Sequence, residues 1–196
     1  AYALHDFGLL GDKSVMAHCN FLNDEDATLF AETGTAIGHC PISNAYFANS
    51  VIPIARFHAK GVDIGLGSDI SGGFSPSLFD NARQAVMSSR MLEDGVNTAL
   101  PADKRGVPNS RITINEAFYL ATAGGGESLS LPIGRLQENY TWDVQVIDTK
   151  VASAKLPIFD NKEELIDIFQ KIMYLVRPEN IREVWVQGIK VHERTQ

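Results

Sequence analysis

Three side chains that could carry out chemistry, His18, His39 and Asp69, each lie at or just beyond the end of a short apolar segment. If these segments are parallel strands, their carboxyl ends meet at one edge of a sheet or barrel, which is the functional face of such folds. Imidazole and carboxylate groups on one edge suit a catalytic zinc ion or a general acid–base relay. Two plainer alternatives stay open: the histidines could pack in the core, and the Asp69 carboxylate could cap nearby backbone amides.

The pattern around these residues predicts three strand–helix units. The expected strands are residues 14–18, 35–39 and 62–66, and the expected helices are residues 23–34, 50–60 and 75–94. Asn23 is a favoured helix N-cap, and Gly34 is a favoured helix end. Strands that alternate with helices at this spacing are typical of a parallel sheet that is buried on both faces. The sequence therefore predicts an α/β fold, in which residues 41–44 form a polar loop.

The stretch from Gly65 to Pro76 is expected to join the third strand to its helix. Gly65 and Gly67 remove side chains where another backbone or a ligand approaches closely. Ser75 and Pro76 suit the beginning of a helix. Asp69 is thereby placed on the loop that begins at the carboxyl end of the strand.

Beyond the third unit, the sequence predicts a loop and then another helix. Residues 95–111 are polar and contain Pro101 and Pro108, which predicts a long surface loop, either a lid or a disordered segment. Thr113 and Glu116 form a capping box that begins the helix. We expect the three glycines that follow Ala123 to end it.

The last part of the chain changes its hydrophobic period. Alternating apolar residues at 142–146 and 184–191 predict antiparallel strands, the second of them a hairpin. Between them, Asn161 with Glu164 is expected to cap one amphipathic helix. We therefore predict two domains, residues 1–126 and residues 127–196.

The composition limits the classes of partner. The 196 residues carry a formal charge of −7, which argues against nucleic acid and against an anionic membrane surface as partners. No apolar run approaches the length of a membrane span. Two cysteines do not make a disulfide framework, so we expect a reducing, cytoplasmic location.

Cys19 and Cys40 suggest a competing site, a structural zinc ion held by histidine and cysteine. Adjacent strand residues point to opposite faces, so each His-Cys pair cannot face one ion without distortion. The sequence has no C-x₂-C unit, and it also lacks the H-x-E and P-C-x-x-C motifs of one class of zinc-dependent nucleobase deaminases. We therefore interpret both thiols as small buried residues.

Three loop motifs resemble those of the amidohydrolase superfamily, metal-dependent hydrolases built on a (β/α)₈ barrel. Ala17–Cys19 is similar to the histidine motif after the sixth barrel strand, and His39–Asn44 is similar to the H-C-P-x-S-N loop after the seventh. Gly65–Asp69 is similar to the G-L-G-[ST]-D motif of the eighth strand. Within the superfamily, Ser71–Asp80 is closest to the branch that deaminates guanine.

This resemblance implies a fold, a site and a reaction. Residues 1–126 would be the C-terminal part of the barrel, with its sixth to eighth strands, and residues 127–196 would be part of the small flanking β-sandwich. Asp69 would be a metal ligand that also contacts the substrate, and His18 would be a catalytic residue. Zinc, or iron, would activate a water molecule that attacks the amino-bearing carbon of guanine or a related purine. His39 is expected to support its loop rather than to bind the metal.

The family's other two site motifs, H-x-H and H-x-x-E, do not occur in this sequence. The resemblance therefore implies the C-terminal half of the enzyme, with the missing N-terminal half of the barrel as its partner. The chain alone is expected to be inactive and not to retain the metal, because a catalytic zinc takes three protein ligands. Unpaired strand edges and uncovered apolar faces predict association into a homo-oligomer.

Two alternatives to this function stay open. The chain could belong to another amidohydrolase, one that acts on adenosine, S-adenosylhomocysteine or chlorotriazines. It could also be a non-catalytic, half-length protein that only binds its ligand.

Overall fold

The computed structural model describes residues 1–159 and 162–195, and the chain divides into two compact units, Ala1–Leu131 and Pro132–Gln196. The first unit contains three strands: β1 (Val15–Ala17), β2 (Ala36–His39) and β3 (Ile64–Leu66). Its α-helices are α1 (Tyr2–Asp6), α2 (Asp24–Thr33), α3 (Pro41–Ser43), α4 (Ile54–His58), α5 (Leu78–Asp94), α6 (Ile114–Ala121) and α7 (Ala123–Ser128). A π-helix spans Asn44–Ala48, and a 3₁₀-helix spans Ala102–Lys104.

The three strands form a parallel sheet in the order β1-β2-β3. Ile37 of β2 pairs with Met16 on one side and with Ile64 on the other. This arrangement confirms the predicted α/β class and the parallel pairing. The predicted burial of every strand on both faces is wrong for β1, because Val15 is 42% exposed whereas Ile37 is fully buried. β1 has only one neighbour in this sheet. β3 also has only one neighbour, but it stays buried because α7 packs directly on its backbone.

The helix α2 begins and ends where the sequence predicts. The Asn23 side chain accepts from the Asp26 backbone N–H, and the Asp26 side chain accepts from the Asn23 N–H, which completes a capping box. Gly34 ends the helix in the left-handed conformation, with φ of 71°. Ala27 and Phe30 lie on the buried face of the helix and place it against the core.

The glycines at 124–126 do not end a helix, contrary to the prediction. The chain breaks earlier, at Thr122, and the glycines lie within α7. A Cβ atom on Gly124 would lie 2.7 Å from the backbone oxygen of Ile64, and one on Gly65 would lie 3.1 Å from the Cα of Gly125. The glycines therefore allow α7 to pack directly on the backbone of β3, a tertiary requirement that outweighs their low helix propensity.

Two predicted loops are more structured than the sequence indicated. Residues 41–44 are buried, and they form α3 and the start of the π-helix instead of a polar loop. The loop at residues 95–111 folds back onto the end of α5. Its end is fixed by the Glu93 carboxylate, which accepts from the backbone N–H groups of Ser110 (2.6 Å) and Arg111 (3.1 Å).

The described residues of the second unit, 132–159 and 162–195, form the strands β4 (Val144–Ile147), β5 (Ile181–Val186) and β6 (Ile189–Glu193) and the α-helix α8 (Leu165–Leu175). Short 3₁₀-helices span Ala152–Ala154 and Pro178–Asn180. The strands pair antiparallel in the order β4-β5-β6, as the alternating pattern predicts.

The turn of the β5–β6 hairpin is formed by Gln187 and Gly188, both with positive φ (51° and 75°), as two-residue hairpin turns of type I′ require. The helix α8 begins after Glu164. Asn161, which the sequence suggests as its cap, lies outside the described residues. None of the helices in residues 1–159 and 162–195 combines the length and the apolar character needed to cross a membrane.

Candidate active site

The end of β1 delivers His18 to the carboxyl edge of the sheet. The backbone N–H of His18 donates to the carbonyl of Gly38 (2.9 Å), so the strand pairing continues up to this residue. His18 and Cys19 then adopt positive φ angles of 67° and 54°. Non-glycine residues rarely adopt this conformation, and such residues concentrate at functional sites. The His18 side chain remains 44% exposed.

The loop that follows β3 also has left-handed backbone and carries an accessible side chain. Asp69 and Ser71 have φ angles of 46° and 85°, and the Gly73 N–H donates to the Asp69 carbonyl (2.5 Å), which closes a tight turn. The Asp69 side chain is 37% exposed. Among the residues that the structure describes, no backbone N–H donates to the Asp69 carboxylate, so the amide-capping alternative finds no donor there.

The two loops bring His18 and Asp69 together. The Nε2 atom of His18 lies 4.0 Å from Oδ2 of Asp69. Their strands are separated by β2, which corresponds to two strand spacings, roughly 10 Å. The left-handed turns therefore direct both side chains toward each other across the end of the middle strand. At 4.0 Å the two groups do not form a direct hydrogen bond.

His39, the third residue singled out in the sequence, is buried rather than exposed on this edge. Only 1% of the residue is exposed, and its Nε2 atom has no hydrogen-bond partner within the described part of the chain. Burial, followed by the nearby His18, lowers the pKa of His39 to about 3. The imidazole is therefore neutral at physiological pH.

Asn44 connects the two histidines. Its Oδ1 atom lies 2.8 Å from Nδ1 of His18, and its Nδ2 atom lies 3.5 Å from Nδ1 of His39. Sequence reasoning did not assign Asn44 a role. The signal was present, since Asn44 is the last residue of the His39–Asn44 motif.

The loop after Asp69 depends on glycine and on anchoring to α5. A Cβ atom on Gly72 would lie 2.5 Å from Oδ2 of Asp69, so only glycine leaves the carboxylate in place. The Ser75 hydroxyl donates to Oδ2 of Asp80 (2.6 Å), and the buried Asn81 side chain donates to the carbonyls of Ser75 (3.4 Å) and Ser77 (3.0 Å). These contacts hold the end of the loop against the first turn of α5.

Cys40 is buried as predicted, whereas Cys19 is only partly buried. Burial and the neighbouring Cys40 raise the pKa of Cys19 to about 11, and burial and then Asp69 raise the pKa of Cys40. Both thiols therefore stay protonated at neutral pH. Within residues 1–159 and 162–195, no group of three or more His, Cys, Asp or Glu side chains is placed to hold a metal ion. The geometry offers one carboxylate and one imidazole, a partial donor set.

The sequence as a whole places this geometry in a known family. The model of the "Amidohydrolase family" matches residues 1–191. This chain belongs to the amidohydrolase family. The matched range includes all three loop motifs that resemble this family.

Two guanine deaminases are among the curated relatives. The chain is 36% identical over 189 residues to the guanine deaminase of Dictyostelium discoideum, covering 94% of this chain and 39% of the relative. It is 35% identical over 191 residues to the guanine deaminase of Homo sapiens, covering 93% and 39%, respectively. The chain thus spans about two fifths of the length of these relatives.

Solved structures agree with these sequence matches. Escherichia coli guanine deaminase superimposes with a TM-score of 0.80 at 28% identity, covering 97% of this chain and 42% of that one. The C. acetobutylicum enzyme, with guanine in its active site, gives 0.78 at 28% identity, with the same coverage. An adenosine deaminase from Xanthomonas campestris with bound zinc gives 0.76 at 20% identity, covering 96% and 39%, which supports the fold alone.

Proposed function

We propose that this chain is part of a guanine deaminase, which hydrolyses guanine to xanthine and ammonia. The observation that carries the proposal is the His18–Asp69 pair, 4.0 Å apart at the carboxyl ends of two parallel strands. The pair lies on two of the motifs that relate the chain to the amidohydrolases. The loop at residues 71–80, which is closest to the guanine-specific branch, follows Asp69 directly.

We infer that residues 1–126 form the last three strand–helix units of a (β/α)₈ barrel and that residues 127–196 form part of a flanking β-sandwich. The exposure of Val15 on β1 supports this, because a barrel would supply a second neighbour for that strand. The remaining strands would come from a part of the protein outside this sequence. Self-association into a homo-oligomer is a further part of the proposal.

The residues of this site fit a zinc ion, but this chain would supply only part of its ligands. A catalytic zinc takes three protein ligands from histidine nitrogen, carboxylate oxygen or thiolate sulfur. Asp69 is suited to be one of them, since its carboxylate is accessible and receives no backbone hydrogen bond from the described residues. His18 lies beside it with Nε2 toward the carboxylate. The other ligands would come from outside the described residues.

The reaction replaces the amino group on a ring carbon of guanine by oxygen, so water adds and ammonia leaves. A bound zinc ion would lower the pKa of a water molecule toward neutrality. One oxygen atom, hydrogen-bonded at about 2.8 Å to each group, can bridge the gap between His18 Nε2 and Asp69 Oδ2. Asp69 can take the proton that the water loses, and His18 can hold the oxygen as it adds to the ring carbon. The acid that protonates the leaving amine would come from outside this sequence.

An ammonia-release assay of the full-length protein tests the proposal. The substrates are guanine, adenosine and S-adenosylhomocysteine, with chloride release from a chlorotriazine measured in parallel. We expect the highest kcat/KM for guanine. Preference for any of the other three would assign the chain to a neighbouring branch of the family, and turnover of none would favour a binding protein.

A further inference from the structure

Asn44 occupies a position where its side chain cannot exchange partners with solvent. The residue is 2% exposed, and its backbone N–H donates to the carbonyl of Cys40 (2.9 Å), which fixes the start of the π-helix. The two ends of its amide contact two different imidazoles, those of His18 and His39. An amide oxygen only accepts hydrogen bonds, and an amide nitrogen only donates them. The orientation of the amide therefore determines where each imidazole carries its proton.

The observed orientation assigns both protons. With Oδ1 of Asn44 at 2.8 Å, His18 Nδ1 must be the donor and therefore carries the proton. With Nδ2 of Asn44 on the other side, His39 Nδ1 must be the acceptor. Because His39 is buried and neutral, its single proton then lies on Nε2. The two contacts are mutually consistent, since one amide serves one donor and one acceptor.

The distance across the site agrees with this assignment. A His18 proton on Nε2 would favour a direct hydrogen bond to the Asp69 carboxylate, at about 2.8 Å. The observed separation is 4.0 Å. Two acceptors that face each other cannot hydrogen-bond directly, but both can accept from one donor placed between them.

We propose that Asn44 is a positioning residue that keeps the proton of neutral His18 on Nδ1, so that the Nε2 lone pair faces Asp69 and accepts a hydrogen bond from the attacking water. His39 orients Asn44 by accepting from its amide nitrogen. The catalytic meaning of this arrangement rests on the proposed deaminase function, whereas the proton position on His18 does not.

Two substitutions at Asn44 test which of its two hydrogen bonds matters. Asn44→Asp retains an oxygen that accepts from His18 Nδ1. Asn44→Leu has a similar volume but removes both hydrogen bonds. Asn180→Leu is the matched control, because Asn180 is also a fully buried asparagine and lies in the other unit, where its amide donates to the carbonyl of Asp148 (2.9 Å).

The first readout is the ¹⁵N NMR spectrum of the full-length protein with labelled histidine, at a pH about two units above the ordinary imidazole pKa of about 6.5. We expect His18 to carry its proton on Nδ1 in the wild type, in Asn44→Asp and in the Asn180→Leu control. In Asn44→Leu we expect a mixture of the two tautomers. A wild-type His18 protonated on Nε2, or an unchanged tautomer in Asn44→Leu, would overturn the proposal.

The second readout is turnover of guanine. Outer partners of site residues typically contribute about 10- to 100-fold, so kcat should fall by that factor in Asn44→Leu with little change in KM. Asn44→Asp should recover most of the loss, and Asn180→Leu should keep wild-type kcat. If the protein does not turn over guanine but the tautomers behave as expected, the positioning role stands and the proposed function fails. If guanine is turned over and Asn44→Leu keeps full kcat, the positioning role fails and the proposed function stands.

Discussion

The two compact units use the same unusual backbone conformation for different purposes. In the first unit, positive φ angles at His18 and Asp69 turn catalytic-type side chains toward each other at the ends of two strands. In the second unit, positive φ angles at Gln187 and Gly188 form an ordinary hairpin turn. In this chain, left-handed backbone accompanies candidate site residues at the carboxyl ends of the parallel strands and forms a turn between antiparallel ones.

The two units also differ in how deeply they bury their residues. The first unit fully encloses large side chains such as Phe30, Phe57 and Ile37, and it also encloses the polar side chains of His39 and Asn44. In the second unit, Met173 and Asn180 are buried, but every residue of β6 is exposed. The first unit thus has the rigid surroundings that can hold a strained site, and substitutions in the two units should have different consequences.

The largest effect should come from removing a carboxylate charge in the first unit. In the full-length protein, Asp69→Asn should lower kcat/KM for guanine by at least about 1,000-fold, because it would remove the proposed metal ligand and proton acceptor. Circular dichroism should remain unchanged. The matched control is Asp143→Asn in the second unit, where the Asp143 carboxylate accepts from the backbone N–H of Gln187 (2.7 Å). Wild-type turnover in Asp69→Asn, or an equal loss of activity in both variants, would show that the first unit does not carry the site.

Acid should affect the first unit before the second. The pKa of His39 falls from 6.5 to about 3 on folding, so the unfolded state binds its proton first as the pH is lowered. Above pH 6.5 the buried His39 therefore does not lower the free energy of unfolding. Between pH 6.5 and about 3 it lowers that free energy by at most about 1.4 kcal/mol for each pH unit. In the second unit, hydrogen bonds from the Lys150 backbone and then from Arg194 hold the pKa of Asp148 below 3.8, so that stabilisation is present above pH 3.8 and is lost only at lower pH.

Hydrogen exchange followed by mass spectrometry distinguishes the two units by their peptides. Protection of the first unit should decline from about pH 6.5, after correction for intrinsic exchange rates. Substituting His39→Gln should flatten this decline, although it lowers stability at neutral pH. Simultaneous loss of protection in both units, or an unchanged decline in the variant, would contradict the role of His39.

A smaller effect is expected from Gly72→Ala. The added Cβ would lie 2.5 Å from Oδ2 of Asp69, so the carboxylate must move. A displacement of this size should lower kcat by roughly 10- to 100-fold while leaving the melting temperature nearly unchanged. Gly11→Ala is the control within the same unit, since its Cβ would meet nothing within 4 Å. Equal activity of the two variants would show that the position of Asp69 tolerates this displacement.

Local patterns predicted much of the first unit. The capping box at Asn23, the glycine at Gly34 and the apolar segments placed α2 and the parallel strands correctly, because caps and strand runs are decided by nearby residues. The helical role of Gly124 was not predicted. It depends on which backbone lies alongside, and such a contact leaves no periodic signal in one sequence.

The candidate site was only partly accessible to sequence reasoning. His18 and Asp69 could be identified from their position after apolar runs, but their separation of 4.0 Å depends on two left-handed turns that non-glycine residues rarely adopt. Asn44 contacts both histidines from the first position of the π-helix, a form that sequence patterns do not predict. The chemical types of the site residues were therefore predictable, and their hydrogen bonds were not.

The central claim is that Asp69 is a ligand in a metal-dependent site. Anomalous diffraction at the zinc edge, from crystals of the full-length protein grown with zinc, tests it most directly. We predict one strong peak at about 2.0–2.2 Å from a carboxylate oxygen of Asp69, with His18 beside it. A zinc peak that is not coordinated by Asp69, or a protein that deaminates guanine with Asp69 remote from any metal, would contradict the account.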